Sequence, residues 1–250
     1  MNYIIEQKAP TSFAEIDEPT QTEILKEPLY RRATADFVEV CGGPIALRFL
    51  EIVRKFGMVT EKSRFISQRS VFVNGAYPSS PSWHFDVVAG VISPLHEHLS
   101  HSIRTVIACI CSSDFVSTTE FIVKGIIKLE DIEITTQEYK GGEYLTEAGG
   151  DINGFHWGIE DLRNKGDILI SSINPNTLYF YDSTYLHKAP QFLKSGGCRL
   201  ILRVTTPPES FVHEIPTSNI VIPDSGFYFT FSKENRNKYE KHRLIKELHK

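Results

Sequence analysis

Two histidines and an aspartate are the residues of this sequence best placed to do chemistry. Ser82-Trp83-His84-Phe85-Asp86 reads as an extended strand. In a strand, side chains two apart share a face, so His84 and Asp86 aim at one spot while Phe85 turns away into a core. About a hundred residues later, Tyr181-Asp182-Ser183-Thr184-Tyr185-Leu186-His187 ends in a second imidazole on another strand. Two imidazoles and a carboxylate on one face of a metal form the 2-His-1-carboxylate set, which leaves positions open for a co-substrate and oxygen on ferrous iron. An H-x-D triplet alone is a weak signal. Its lead-in, Tyr77-Pro78-Ser79-Ser80-Pro81, strengthens it, because a turn-rich stretch brings the strand's start to the mouth of a barrel.

A third segment supplies charge. Arg199 and Arg203 lie four apart in the apolar run Cys198-Arg199-Leu200-Ile201-Leu202-Arg203-Val204-Thr205, hence on one face. Cations in so apolar a strand are costly to bury unless paired. A planar guanidinium grips a carboxylate with two hydrogen bonds, so one of them could anchor the far end of a dicarboxylate whose near end chelates the metal.

The elements that must position these groups are mostly strands. From residue 63 onward, short β-rich runs alternate with turn residues: Phe65 to Asn74, Trp83 to Val91, Thr105 to Cys111, Glu120 to Leu129, Asp167 to Ser172, Thr177 to Asp182, Arg199 to Thr205 and Gly226 to Phe231. With few helical intervals between them, they predict an antiparallel sandwich or closed barrel, such as a cupin-like double-sheet jelly roll. Residues 1–62 read as an N-terminal arm and helix, 63–231 as the core and 232–250 as a helical tail. In the arm, Pro10, Pro19 and Pro28 favour an extended course outside the core, with a short helix near Thr20 to Lys26. Ile45 to Gly57 has helical periodicity, with Pro44 suited to the first turn and Gly57 to the stop.

At motif level, residues 65 to 206 resemble the Fe(II)- and 2-oxoglutarate-dependent dioxygenases, whose pattern is H-x-D, a long gap, a second histidine and an arginine some ten or more residues later. His84-Phe85-Asp86, His187 and Arg199 or Arg203 match it, and the two-arginine strand is similar to that of the taurine dioxygenase-like branch. The resemblance implies a double-stranded β-helix, with iron on His84, Asp86 and His187. It places the 2-oxoglutarate carboxylate on Arg199, with Arg203 as second choice or as a substrate contact. It also implies use of O2, release of succinate and CO2, and hydroxylation of a small or medium-sized metabolite. Asp86 stands where halogenating relatives have a small residue, which disfavours halogenation. Arg69, Asn74, His156 and Trp157 are the weaker candidates for substrate contact, whereas Trp83 and Phe85 read as core.

The composition narrows the alternatives. Over 250 residues the hydrophobic fraction is 41% and the charged fraction 23%, ordinary for a globular protein, and 16 phenylalanines with 10 tyrosines favour a sheet-rich interior. A net charge of -4 gives no reason to expect nucleic acid or an anionic membrane as partner. No apolar run approaches the roughly 20 residues that span a bilayer, and the expected location is cytoplasmic. Cys41, Cys109, Cys111 and Cys198 are scattered and read as reduced core thiols. His96-Glu97-His98-Leu99-Ser100-His101 fails the H-E-x-x-H pattern at Ser100 and reads as a polar loop. Residues 93 to 104 and 137 to 166 are long intervals of the kind that cover binding sites. Two other classes fit the sequence: a cupin-type metal isomerase, epimerase or oxygenase without 2-oxoglutarate, and a non-catalytic β-barrel binding protein.

Overall fold

Among the described residues, eight strand segments between Arg64 and Thr206 pair in nested order. The protein is described from a computed structural model covering residues 4–72, 74, 83–85, 103–128, 155–211 and 217–222, apart from the side chains of 155–158 and 161. In chain order the segments are β4 (Arg64–Val71), the extended residues 83–85, β5 (Arg104–Cys111), β6 (Glu120–Lys128), β7 (Leu169–Ser172), β8 (Thr177–Asp182), β9 (His187–Lys188) and β10 (Cys198–Thr206). The first pairs with the last, β4 with β10, and the second with the seventh through His84 and His187. The third pairs with the sixth, β5 with β8, and the fourth with the fifth, β6 with β7; every pairing is antiparallel. This nesting defines two facing sheets of a jelly roll. The expected fold class is therefore the one observed.

The residues before β4 do more than drape over this core. β1 (Ile4–Lys8) pairs with β6, β2 (Thr11–Glu15) with β8, and β3 (Leu29–Ala33) with β4. The stretch expected to be an outer arm thus widens both sheets, and β11 (Val221–Ile222) adds an edge to β3. The expected short helix is α1 (Gln21–Lys26), started by a capping box in which Thr20 and Glu23 satisfy each other's backbone N–H groups. α2 (Ala35–Cys41) follows, and α3 (Pro44–Lys55) begins at the expected proline and stops before Gly57, at φ 67.

Alternation along the strands sorts the side chains into layers. The even residues of β10, from Cys198 to Val204, join Phe65, Phe49, Leu50 and Val53 in a core between the larger sheet and α1–α3. Ile107, Cys109, Tyr179 and Tyr181 face the other way, into the space between the sheets, with Phe121 from the smaller sheet. A third cluster, Trp83, Phe85, Ile122, Ile159 and Leu186, lies behind the smaller sheet. There it packs on α4 (Phe155–Lys165), a helix in an interval that reads as loop from the sequence. No helix among the described residues is long and apolar enough to cross a membrane.

Candidate metal and anion site

His84 and His187 face each other as a hydrogen-bonded antiparallel pair. The His84 N–H donates to the His187 carbonyl at 3.0 Å, and the His187 N–H to the His84 carbonyl at 3.1 Å. Directly opposed residues of such a pair present their side chains on the same face, and the ring centroids are 4.4 Å apart. The flanking residues enforce this orientation. Trp83 is fully buried and Phe85 nearly so, both in the cluster behind the sheet, so alternation turns His84 inward. Trp83 is fixed by an indole N–H donated to Glu160 Oε1 at 2.7 Å, with the Lys188 ammonium 4.8 Å from its ring centroid.

His187 is buried and its ring is walled in. Phe121, its register partner on β6, stacks on it at 5.2 Å and 27°, and Tyr181 meets it edge-on at 5.4 Å. Its Nδ1 lies 3.3 Å from the Tyr185 carbonyl oxygen, which can only accept. A hydrogen bond there puts the proton on Nδ1, the tautomer that would leave Nε2 available to a metal. Gln7 of β1 secures the preceding turn: its Oε1 accepts from the Leu186 N–H at 3.0 Å, and its Nε2 donates to the Thr184 carbonyl at 2.8 Å.

A cavity of about 250 Å³ opens between the sheets, lined by this histidine pair and by Arg199, Arg203, Ile66, Gln68 and Ile201, among others. Arg199 is wholly buried. Its Nη1 donates to the Ser117 carbonyl at 3.0 Å, while Nε and Nη2 have no hydrogen-bond partner among the described residues. The Phe192 ring lies 5.9 Å below the guanidinium. Burial pulls the Arg199 pKa down from its ordinary value, against the influence of Cys109 and Cys111. Cys111, its register partner, cannot serve as counter-ion at neutral pH, because burial pushes its thiol up to about 12. A buried cation with two idle donors calls for an anion, and the donors fit one carboxylate.

The remaining sequence candidates fall elsewhere. Asp86, His96, His98, His101, the strand expected at Gly226 to Phe231 and the tail from 232 lie outside the described residues, as do the side chains of His156 and Trp157, which belong to α4. Among the described residues no third histidine, cysteine or carboxylate joins the pair. Arg69 is on the opposite face of β4 from Gln68. Its Nη1 donates to the carbonyls of Ile24, Leu25 and Glu27 at the end of α1, at 3.2, 2.6 and 3.3 Å, so it secures a helix and does not line the cavity. Asn74 is exposed, with its backbone N–H on Ser195 Oγ at 2.8 Å. All four cysteines are free. Arg31 and Arg32 line the cavity, although strand alternation in the sequence gives no sign that both should.

No protein-family profile and no curated protein sequence matches the chain. Among solved structures it is similar to EvdO2 from Micromonospora carbonacea var. aurantiaca complexed with 2-oxoglutarate, at 11% identity and TM-score 0.38 over 85% of this chain and 80% of that one. It is also similar to a non-heme monooxygenase, the ThoJ-Ni complex, at 9% identity and TM-score 0.33 over 96% of this chain and 95% of that one. The jelly-roll assignment rests on the strand pairings themselves.

Proposed function

We propose that the protein is an Fe(II)- and 2-oxoglutarate-dependent oxygenase that hydroxylates a small or medium-sized metabolite. The observation that carries this reading is the fully buried Arg199 guanidinium, with two nitrogens unpartnered among the described residues, beside the same cavity as two opposed imidazoles. One site is equipped for a metal and the other for a carboxylate, which is what a chelating keto-dicarboxylate requires.

In this reading His84 and His187 hold iron through their imidazoles, Asp86 completes the set, and Arg199 receives the distal carboxylate of 2-oxoglutarate. Bound Fe(II) with 2-oxoglutarate supplies the oxidising chemistry: O2 is consumed, the co-substrate leaves as succinate and CO2, and one oxygen atom enters a substrate C–H bond. The chain's own contribution is placement. The Tyr185 carbonyl would hold a proton on His187 Nδ1, Phe121 and Tyr181 pack against that ring, and the apolar wall from Ile107 and Ile201 limits water.

Anaerobic addition of Fe(II) followed by 2-oxoglutarate tests the assignment. A weak visible charge-transfer band should appear only when both are present, and succinate should form on admitting air. Absence of both signals with the purified protein overturns it.

A further inference from the structure

Arg31 and Arg32 are neighbours in sequence, yet both line the cavity. A regular strand forbids this, because successive side chains point to opposite faces. Between the pairs Tyr30↔Ser67 and Ala33↔Phe65, β3 has two residues where β4 has only Ile66. This is a β-bulge, a feature that re-aims side chains beside binding sites. Arg32 within it adopts φ 49, a left-handed conformation that arginine rarely takes and that the surrounding structure must hold in place. The hold is visible: the Ser218 N–H donates to the Arg32 carbonyl at 3.1 Å, and the Thr34 N–H to Asn219 Oδ1 at 3.0 Å.

The bulge also has a definite position along the cavity. Ile66, which it flanks, is register-paired with Arg203, and Arg203 with Ile107. Two strand spacings across the sheet separate the bulge from Arg203, about 10 Å, while Arg199 lies four residues along β10 from Arg203, about 13 Å in the perpendicular direction. Lys188 also lines the cavity, with its ammonium 3.1 Å from Glu160 and 3.7 Å from Glu120. No acidic side chain of the described residues lines the cavity.

We infer that the substrate to be oxidised carries an oxyanion, a carboxylate or a phosphate, and that the Arg31–Arg32 bulge seats it, apart from Arg199 across the sheet and along β10. The inference rests on the proposed reading in that it leaves Arg199 to 2-oxoglutarate. Two arginines on one cavity wall can offer paired hydrogen bonds to a planar or tetrahedral oxyanion, and the bulge is what puts both on that wall.

Calorimetric titration of inorganic phosphate into the full chain saturated with Ni(II) and 2-oxoglutarate tests this. Phosphate should bind, and Arg31→Gln/Arg32→Gln should weaken it by about tenfold or more while leaving 2-oxoglutarate affinity unchanged. Arg32→Gly guards against misfolding as the explanation: glycine accepts the left-handed backbone, so Tm should hold or rise while phosphate affinity falls. No phosphate binding, binding indifferent to both variants, or phosphate that competes with 2-oxoglutarate and disappears in Arg199→Met would each overturn the inference. If 2-oxoglutarate itself fails to bind the wild-type protein, the functional reading falls, and phosphate titrated alone still decides the bulge by the same variants.

Discussion

His84 and His187 share both of their backbone hydrogen bonds, at 3.0 and 3.1 Å, across 103 residues of chain (187 minus 84), and this single bridge sets their rings 4.4 Å apart. A metal held by the two rings would therefore also hold two strands together. Bound at a hundred times its dissociation constant, it would stabilise that pairing by about 2.7 kcal/mol. Hydrogen exchange at the His84 and His187 amides should slow markedly on adding Co(II) to the wild-type protein, with the cobalt visible spectrum reporting the bound ion. His187→Ala and His84→Ala should each lose both effects. Exchange unchanged by a metal that demonstrably binds would place it elsewhere.

Arg199 is expected to show opposite effects on stability and binding. Its buried charge lacks a counter-ion among the described residues, so Arg199→Met, of similar shape, should stabilise the ligand-free protein by about 1 kcal/mol or more, despite freeing the Ser117 carbonyl. The same variant should bind 2-oxoglutarate on the order of a hundredfold more weakly, because a charge-assisted pair is lost. Thermal denaturation with and without 2-oxoglutarate measures both. A variant less stable than wild type and still shifted by the ligand contradicts the anion-site assignment.

Glu27 gives a pH test away from the cavity. Its nearly buried carboxylate accepts from the N–H groups of Ile45 at 2.7 Å and Ala46 at 3.3 Å, capping α3. Burial raises its pKa above the ordinary carboxyl value and outweighs these N–H donors, which pull the other way. A carboxyl whose folded pKa is raised contributes stability below the unfolded value and loses it as pH climbs through the folded one. The Tm difference between wild type and Glu27→Gln should thus favour wild type most near about pH 4 and move against it toward neutrality. A difference that moves the other way would mean that the N–H donors dominate.

Gly125 in β6 has φ 146, and a Cβ there would lie 2.6 Å from Ile168 Cγ2. Gly125→Ala combines a forbidden backbone with a clash, and should cost about 1–3 kcal/mol in chemical denaturation. Ile168→Ala in the same background should recover part of that loss; if it adds its full cost instead, the clash is not the cause.

Alternation is what made part of this site legible. Period-two patterning placed His84 inward from Trp83 and Phe85, and put Arg199 and Arg203 on one face of an otherwise apolar strand. The same rule hid the Arg31–Arg32 pair, because a bulge is a local exception to it that depends on which partner strand lies alongside. It left Arg69 ambiguous too: burial on the helix side is determined by α1, whose terminal carbonyls take up the guanidinium. β1, β2 and β3 were obscured for a related reason. Each is five residues long, and each finds its partner at least 31 residues away, where local composition carries no information.

β10 lies between β4 and β5, hydrogen-bonded to both, and is the last strand of the eight to be synthesised. Take β10 out of the strand order and the larger sheet divides into β11-β3-β4 and β5-β8-β2, with a slot one strand wide between them. Closing it requires β10 to zip into two partners simultaneously, at large sequence separation from both, a step that long-range pairing makes slow. The Arg199 guanidinium is carried on that strand, so the proposed anion site can be complete only once β10 is paired on both sides.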